Sequence, residues 1–511
     1  MESSKGKKVS LDLPSFFISG GALLLFVLVA LINADFVADS VDYLFGLSAT
    51  YFGLMYQVVL LGTFFIALIL ALSKYGNIRL GNMDKPEIST FKWISIIMCT
   101  LLAGGGVFWA AAEPLSHFLT VPPHFSGIAD GSIEAIVPAL AMSFVDWGFL
   151  SWAILGTLGT IVLMYAHYHK GMPLKPRSLL YPIFGEKIMK KSTFGTIVDS
   201  FSIIAVAAGT IGPIGFLGLQ AGYGLSTITG IPNSLTVHVM IIILLVIGAA
   251  VSAVTGIHKG IQFLSSSNVI LAVGLIIGVL ILGPGMFIFN NYFEAFGLYI
   301  NQFISFNTFR GDEAWLSGWT VFFFAWFVGY GPMMAVFTSR ISRGRTIREL
   351  VLAVAIIAPI ITAFWFTVVG GTGIFQEINI PGSVSTALNE AGPPAAMMAI
   401  TEQLPFGLIF SFLFLLATII FVLTTTDSMS LTISMAISGD GNPPRWLRAF
   451  YALVMGLVAI VLVTIGEGSV NALQSFIVVT AVPVVLLLLT TFWTAPKVCK
   501  DLYKEHLEKS A

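Results

Sequence analysis

Gly318-Trp319-Thr320-Val321-Phe322-Phe323-Phe324-Ala325-Trp326-Phe327-Val328-Gly329-Tyr330-Gly331-Pro332 is uncharged, crowded with aromatic rings, and closed by a Gly-Tyr-Gly-Pro run. No Asp, Glu, Lys or Arg occurs between Glu313 and Arg340. At a rise of ~1.5 Å per residue, such a stretch crosses the ~30 Å hydrocarbon core of a bilayer. Its neighbours repeat the pattern. Of the 511 residues, 57% are hydrophobic and 10% charged, where soluble domains run near ~25% charged. This composition requires lipid around most of the chain.

Twelve apolar segments of membrane-spanning length follow one another: Ser15–Asn33, Tyr51–Ser73, Trp93–Ala112, Ala135–Met164, Ile197–Gln220, Val237–Val254, Gln262–Phe287, Trp319–Ser339, Leu350–Gly371, Phe406–Thr426, Phe450–Ile465 and Val470–Trp493. The first resembles a secretory signal in length, but no small-residue cleavage pattern precedes the acidic stretch Asp35–Asp42, read here as a loop. Lys and Arg favour cytoplasmic loops. With both termini placed in the cytoplasm, all but Arg310 of the 25 Lys and Arg fall on the inner side. One helix more or fewer inverts every later loop, so this asymmetry fixes the expected helix count together with the orientation. The net charge of −1 conceals it and offers nothing to a nucleic acid. Cys99 and Cys499 fall in different compartments, which argues against a structural disulfide. The expected fold is an all-α integral membrane domain with no soluble domain inserted. Asn290–Gly311 carries the spacing of a helix lying at the interface.

Transporters interrupt helices at mid-membrane to present backbone dipoles to their cargo. Gly104-Gly105-Gly106 in segment three and Gly329–Pro332 in segment eight both fall near half depth, and breaks are expected at both. Glycines there also serve close helix packing. The two segments are five apart, so segments three to seven and eight to twelve read as halves of opposite topology.

Aromatic residues share that depth: Trp147 and Trp152 on segment four, and Trp326, Phe327 and Tyr330 on one face of segment eight. A ring cage suits a methylated ammonium, while aromatic stripes also serve core packing. Asp146 is the acid set deepest in an apolar span. A continuous helix turns it roughly 170° away from the direction shared by Trp147, Trp152 and Leu155. Pairing or protonation of Asp146 and neutralisation of a cationic cargo both remain open. Thr424-Thr425-Thr426-Asp427 in segment ten offers hard oxygen ligands, or hydroxyls that bond back to the preceding turn.

The run from Gly318 through Pro332, closing in Arg340-Ile-Ser-Arg-Gly-Arg-Thr-Ile-Arg-Glu349, closely resembles the signature of the betaine/carnitine/choline transporters. Phe108-Trp109 with Ala112-Glu113-Pro114-Leu115, Trp147 with Trp152, and Phe421 with Thr424-Thr425 and Asp427-Ser428 agree with it. The resemblance implies twelve helices, an inverted repeat, a homotrimer in the cell membrane and alternating access. Residues 1–92 then stand outside the repeat, 93–290 and 319–495 form its halves, 291–318 an extracellular interfacial helix and 496–511 a short tail. It also implies a central pocket for a quaternary ammonium compound such as glycine betaine, choline or carnitine. Trp147, Trp152, Trp326, Phe327 and Tyr330 match the pocket aromatics, and Gly104, Gly105 and Gly106 the broken backbone beside them. Phe421, Thr424 and Thr425, with Leu102 of segment three, match a sodium site; sodium is the implied coupling ion and no other cofactor is implied. The sequence departs from the pattern where Phe327 and Tyr330 replace tryptophans, Leu155 an aromatic and Asp146 a histidine, and where three glycines run consecutively. Exchange without sodium, uptake of choline or a sulfonium compound, and a nontransporting osmotic receptor are the other readings; a short tail speaks against the receptor. No nucleophile triad, metal cluster or phosphate loop indicates an enzyme.

Overall fold

The computed structural model describes residues 11–102, 105–190, 192–255, 258–439 and 443–510. Each of the twelve expected segments falls on helix, and the described residues contain no strand beyond an isolated bridge, Arg79 with Thr346. Among the described residues ten helices are long and apolar enough to cross a membrane, and the bent pair Ser267–Leu282 and Gly285–Asn301 makes an eleventh if taken as one span. Of segment three the structure describes the helices Thr90–Leu102 and Gly106–Leu119, the second opened by a turn at Gly105. The chain is a multi-pass membrane protein.

Two expectations are corrected. Asp35–Asp42 is not a loop: the Asn33 side chain caps the Phe36 amide at 2.9 Å, and a single 39-residue helix runs from Ala34 to Leu72. Nor is segment eight broken at Gly329–Pro332, because the helix Thr320–Ile341 runs straight through. Proline removes one N–H without obliging a helix to end, and the glycines serve packing here. A side chain at Gly331 would come within 2.6 Å of Leu488, and one at Gly329 would touch Ala205. The interruption lies one segment end earlier, at Trp319, between Glu313–Gly318 and Thr320–Ile341.

Segment four is also interrupted, into Ile136–Trp147, Phe149–Gly156 and Leu158–Met164. Gly148 makes the first break possible, since a Cβ there would lie 2.0 Å from the Phe144 carbonyl and 2.5 Å from the Tyr299 hydroxyl. Tyr299 Oη accepts from the Phe149 amide at 3.2 Å, so the freed donor is not left bare in an apolar interior. The helices Gly106–Leu119, Ile136–Trp147, Thr320–Ile341 and Ala358–Asn379 converge around these interruptions.

The Arg-rich loop is a clamp. Leu80 and Gly344 exchange backbone bonds with Arg345 and Leu80, and Ile347 N–H bonds to the Ile78 carbonyl. Arg345 lies over the Trp93 ring at 4.5 Å and donates to Thr90 and the Ile88 carbonyl, while Arg348 reaches the Ala71 carbonyl and Asn77. Gly344 turns this loop with φ +77° where a Cβ would meet the Lys85 carbonyl at 2.1 Å. Gly344→Ala is therefore expected to lose at least ~1–2 kcal/mol, read as an earlier thermal unfolding transition of the purified protein in detergent.

Candidate functional site

The turn at Gly105, which opens the helix Gly106–Leu119, faces aromatic rings. A Cβ on Gly105 would lie 2.3 Å from Trp326 Cη2 and 2.9 Å from Trp147 Cη2, so only glycine lets the chain approach both indoles. The Trp365 indole donates to the Gly106 carbonyl at 2.9 Å and ties segment nine to the same break. Gly106 opens a helix whose first amides have no partner within it, a positive dipole end at the centre of the fold. Gly104 lies outside the described residues, as does the Leu102 side chain.

Around Gly105 the rings form one cluster. Trp147 meets Trp326, Phe327, Phe323 and Phe366 at centroid distances of 5.9, 5.3, 5.4 and 5.2 Å. Phe216 closes on Trp326 at 5.7 Å. Both indoles are held by their N–H. Trp147 Nε1 donates to Glu113 Oε2 at 2.8 Å, a charge-assisted bond when that carboxylate is ionised. Trp326 Nε1 donates to the Gly209 carbonyl at 3.0 Å. That carbonyl is available because Pro213, four residues on in the helix Thr193–Thr229, has no N–H to give it. Tyr330 packs on Gly209, where a Cβ would lie 2.5 Å from its ring, and its hydroxyl donates to Thr210 Oγ1 at 3.3 Å.

Trp147, Trp326, Phe327, Tyr330, Gly105 and Gly106 thus come together. Trp152 is placed differently: it lies past the Gly148 break, fully buried, with Nε1 lacking a partner and no ring contact among the described residues. The same break changes the expected direction of Asp146, because angular counting from Trp147 to Trp152 and Leu155 assumed one helix. Asp146 faces Glu113, whose other oxygen anchors Trp147. Phe216, Gly209 and Phe366 were not singled out in the sequence, and Glu113 entered only as part of a stretch agreeing with the family signature, with no site role. For Glu113, an acid within the apolar run Val107–Leu115 was the available signal.

The three remaining sodium-site residues lie on one helix, Gly407–Ser438. Thr424 Oγ1 bonds back to the Ile420 carbonyl at 2.8 Å, the local alternative that such hydroxyls have. Thr425 Oγ1 is buried without a partner and is a free hard ligand. Phe421 borders an apolar cavity of about 330 Å³ that also touches Met98, Val107 and Trp365, linking this helix to both halves of segment three. Asp427 is not part of the oxygen set, since Arg448 Nη2 binds its Oδ1 at 2.8 Å.

The model of the betaine/carnitine/choline family of transporters matches residues 14–504. The chain belongs to that family. It is 50% identical to glycine betaine transporter 2 of Vibrio parahaemolyticus, over 98% of this chain and 92% of that one. It is 32% identical to the betaine/ectoine transporter LcoP of Corynebacterium glutamicum, over 94% of this chain and 77% of the other. The ectoine/hydroxyectoine transporter of Virgibacillus pantothenticus is 30% identical over 95% and 97% of the two chains. This family member is a transporter and not an enzyme.

Two substitutions test the geometry. Gly105→Val wedges the indoles apart and is expected to abolish transport while the protein elutes and melts like the parent. Pro213→Ala returns an N–H to the Gly209 carbonyl and competes with the Trp326 indole. It is expected to weaken cargo binding about fivefold, the worth of one ~1 kcal/mol hydrogen bond, with no loss of thermal stability.

Proposed function

We propose that this protein imports glycine betaine across the cell membrane as a sodium-coupled symporter with both termini in the cytoplasm. The observation that carries the reading is the approach of Gly105 to Trp326 and Trp147, which sets a helix dipole end beside a cluster of indole rings. A trimethylammonium head is attracted to ring faces, most strongly to indole, and a carboxylate to the positive end of a helix. Glycine betaine carries both groups on one short chain. The 50% identical relative, a glycine betaine transporter, supports the same cargo.

The rings now touch one another, so cargo enters by separating them. Trp326 and Trp147 keep their orientation through Gly209 and Glu113 while the faces open, which spares the site the ordering of two large side chains during binding. Segment three then moves with cargo against segment eight in alternating access, an arrangement that an inverted repeat over segments three to twelve and a homotrimer would support. Sodium is drawn to the Thr425 hydroxyl and, as the family resemblance implies, to Leu102 of segment three, tying ion occupancy to the position of that segment.

Purified protein in liposomes, given glycine betaine, ectoine, carnitine, choline and a sulfonium analogue with and without an inward sodium gradient, separates the readings. Glycine betaine uptake that rises with the gradient is the expected result; equal counterflow without sodium points to exchange and removes the symport. Trp326→Leu is expected to weaken glycine betaine binding about tenfold, in line with ~1–2 kcal/mol for a buried cation–ring contact. Thr425→Val should keep the cargo and lose the stimulation by sodium.

A further inference from the structure

Beside the indole cluster lies a second group of side chains, of which the transport reading uses only the Glu113 oxygen that holds Trp147. Glu113 and His117 project from the helix Gly106–Leu119, Asp146 from Ile136–Trp147, and Thr320 from the first turn of Thr320–Ile341. Each is at most 1% exposed. One ligating atom from each of Glu113, His117 and Asp146 lies within 4.8 Å of the others. Yet among the described residues Glu113 Oε1, both Asp146 oxygens, His117 Nε2 and Thr320 Oγ1 all lack a hydrogen-bond partner.

The groups around the pair offer no counter-charge. His117 is stacked on Trp319 at 4.4 Å, its Nε2 3.7 Å from Glu113 Oε1. His124 sits against Phe309 at 3.7 Å, and Tyr299 gives its hydroxyl to the Gly148 break. On the neighbouring elements Glu134 and Glu294 are exposed, Glu377 is held by the amides of Gly382, Val384 and Ser385, Glu402 lies at the surface, and Asp199 is paired with Arg177. No Lys or Arg faces Glu113 or Asp146 among the described residues. Two ionised carboxylates so placed repel each other in a dry interior, and one proton between them removes the repulsion and supplies the missing donor.

We propose that Glu113 and Asp146 form a proton-binding pair that sets the affinity of the pocket for its cargo. The proton resides on Asp146 and is shared toward Glu113, which stays anionic and grips Trp147 Nε1. Loss of that proton drives the two carboxylates apart, pulls Glu113 from the indole and unfixes the ring that cargo needs. Binding of cargo and of the proton therefore favour each other, and by linkage cargo must draw a proton into the protein. His117 and Thr320 complete the shell as buried polar neighbours. The inference rests on the indole cluster being the cargo site.

The test uses full-length protein in detergent or nanodiscs, with glycine betaine as the probe and tryptophan fluorescence as the readout. Affinity is expected to fall as pH rises, by up to about tenfold per pH unit through the titration, the limit for one linked proton. In weak buffer, adding glycine betaine should raise the pH of the medium by proton uptake, a measurement on the parent protein that needs no variant. Asp146→Asn keeps the shape of the protonated acid, and is expected to bind glycine betaine with an affinity that no longer varies with pH. An affinity flat with pH in the parent protein, or an unchanged slope in Asp146→Asn, overturns the proposal. So does a dependence on sodium or zinc, in place of pH, that Asp146→Asn abolishes, since the pair then holds a metal ion. Absence of any glycine betaine binding would instead count against the cargo site itself.

Discussion

In an apolar interior every backbone donor and acceptor needs a partner, and the centre of this protein is organised by how it meets that demand where helices are interrupted. At three points near these interruptions an aromatic N–H or hydroxyl oxygen steps in. Trp365 serves the Gly106 carbonyl, Tyr299 the Phe149 amide, and Trp326 the Gly209 carbonyl that Pro213 leaves open. The side chains best suited to face a methylated ammonium are thereby the same ones that stabilise the broken backbone.

Glycine works at the same points by what it omits. At Gly105 and Gly209 the absent Cβ makes room for indole and phenol rings, and at Gly148 it admits the Tyr299 hydroxyl. Gly331 serves only helix packing against Leu488. Identical residues thus do different things at similar depth, and which applies depends on the partner segment. The clamp between the Arg-rich loop and the Ile78–Leu80 stretch then fixes the far ends of segments two and eight relative to each other.

Helices, and the residues on which they lie, were legible in the sequence because hydropathy alone places an apolar segment in lipid, and because Lys and Arg mark its ends. The family, too, was legible, from the runs Trp319–Pro332 and Arg340–Glu349. So were most of the rings that meet at Gly105, since Trp326, Phe327 and Tyr330 share a helical face by spacing alone. Tertiary structure decided where the helices break. Gly329–Pro332 stays helical because its neighbours fill the space, whereas Gly148 breaks because Tyr299 reaches it from a distant segment. It also decided that Asp146 turns to Glu113, and that Glu113 holds Trp147. Periodicity carries the direction of a side chain only while a helix is continuous; past an interruption, orientation comes from contacts between residues far apart in the chain.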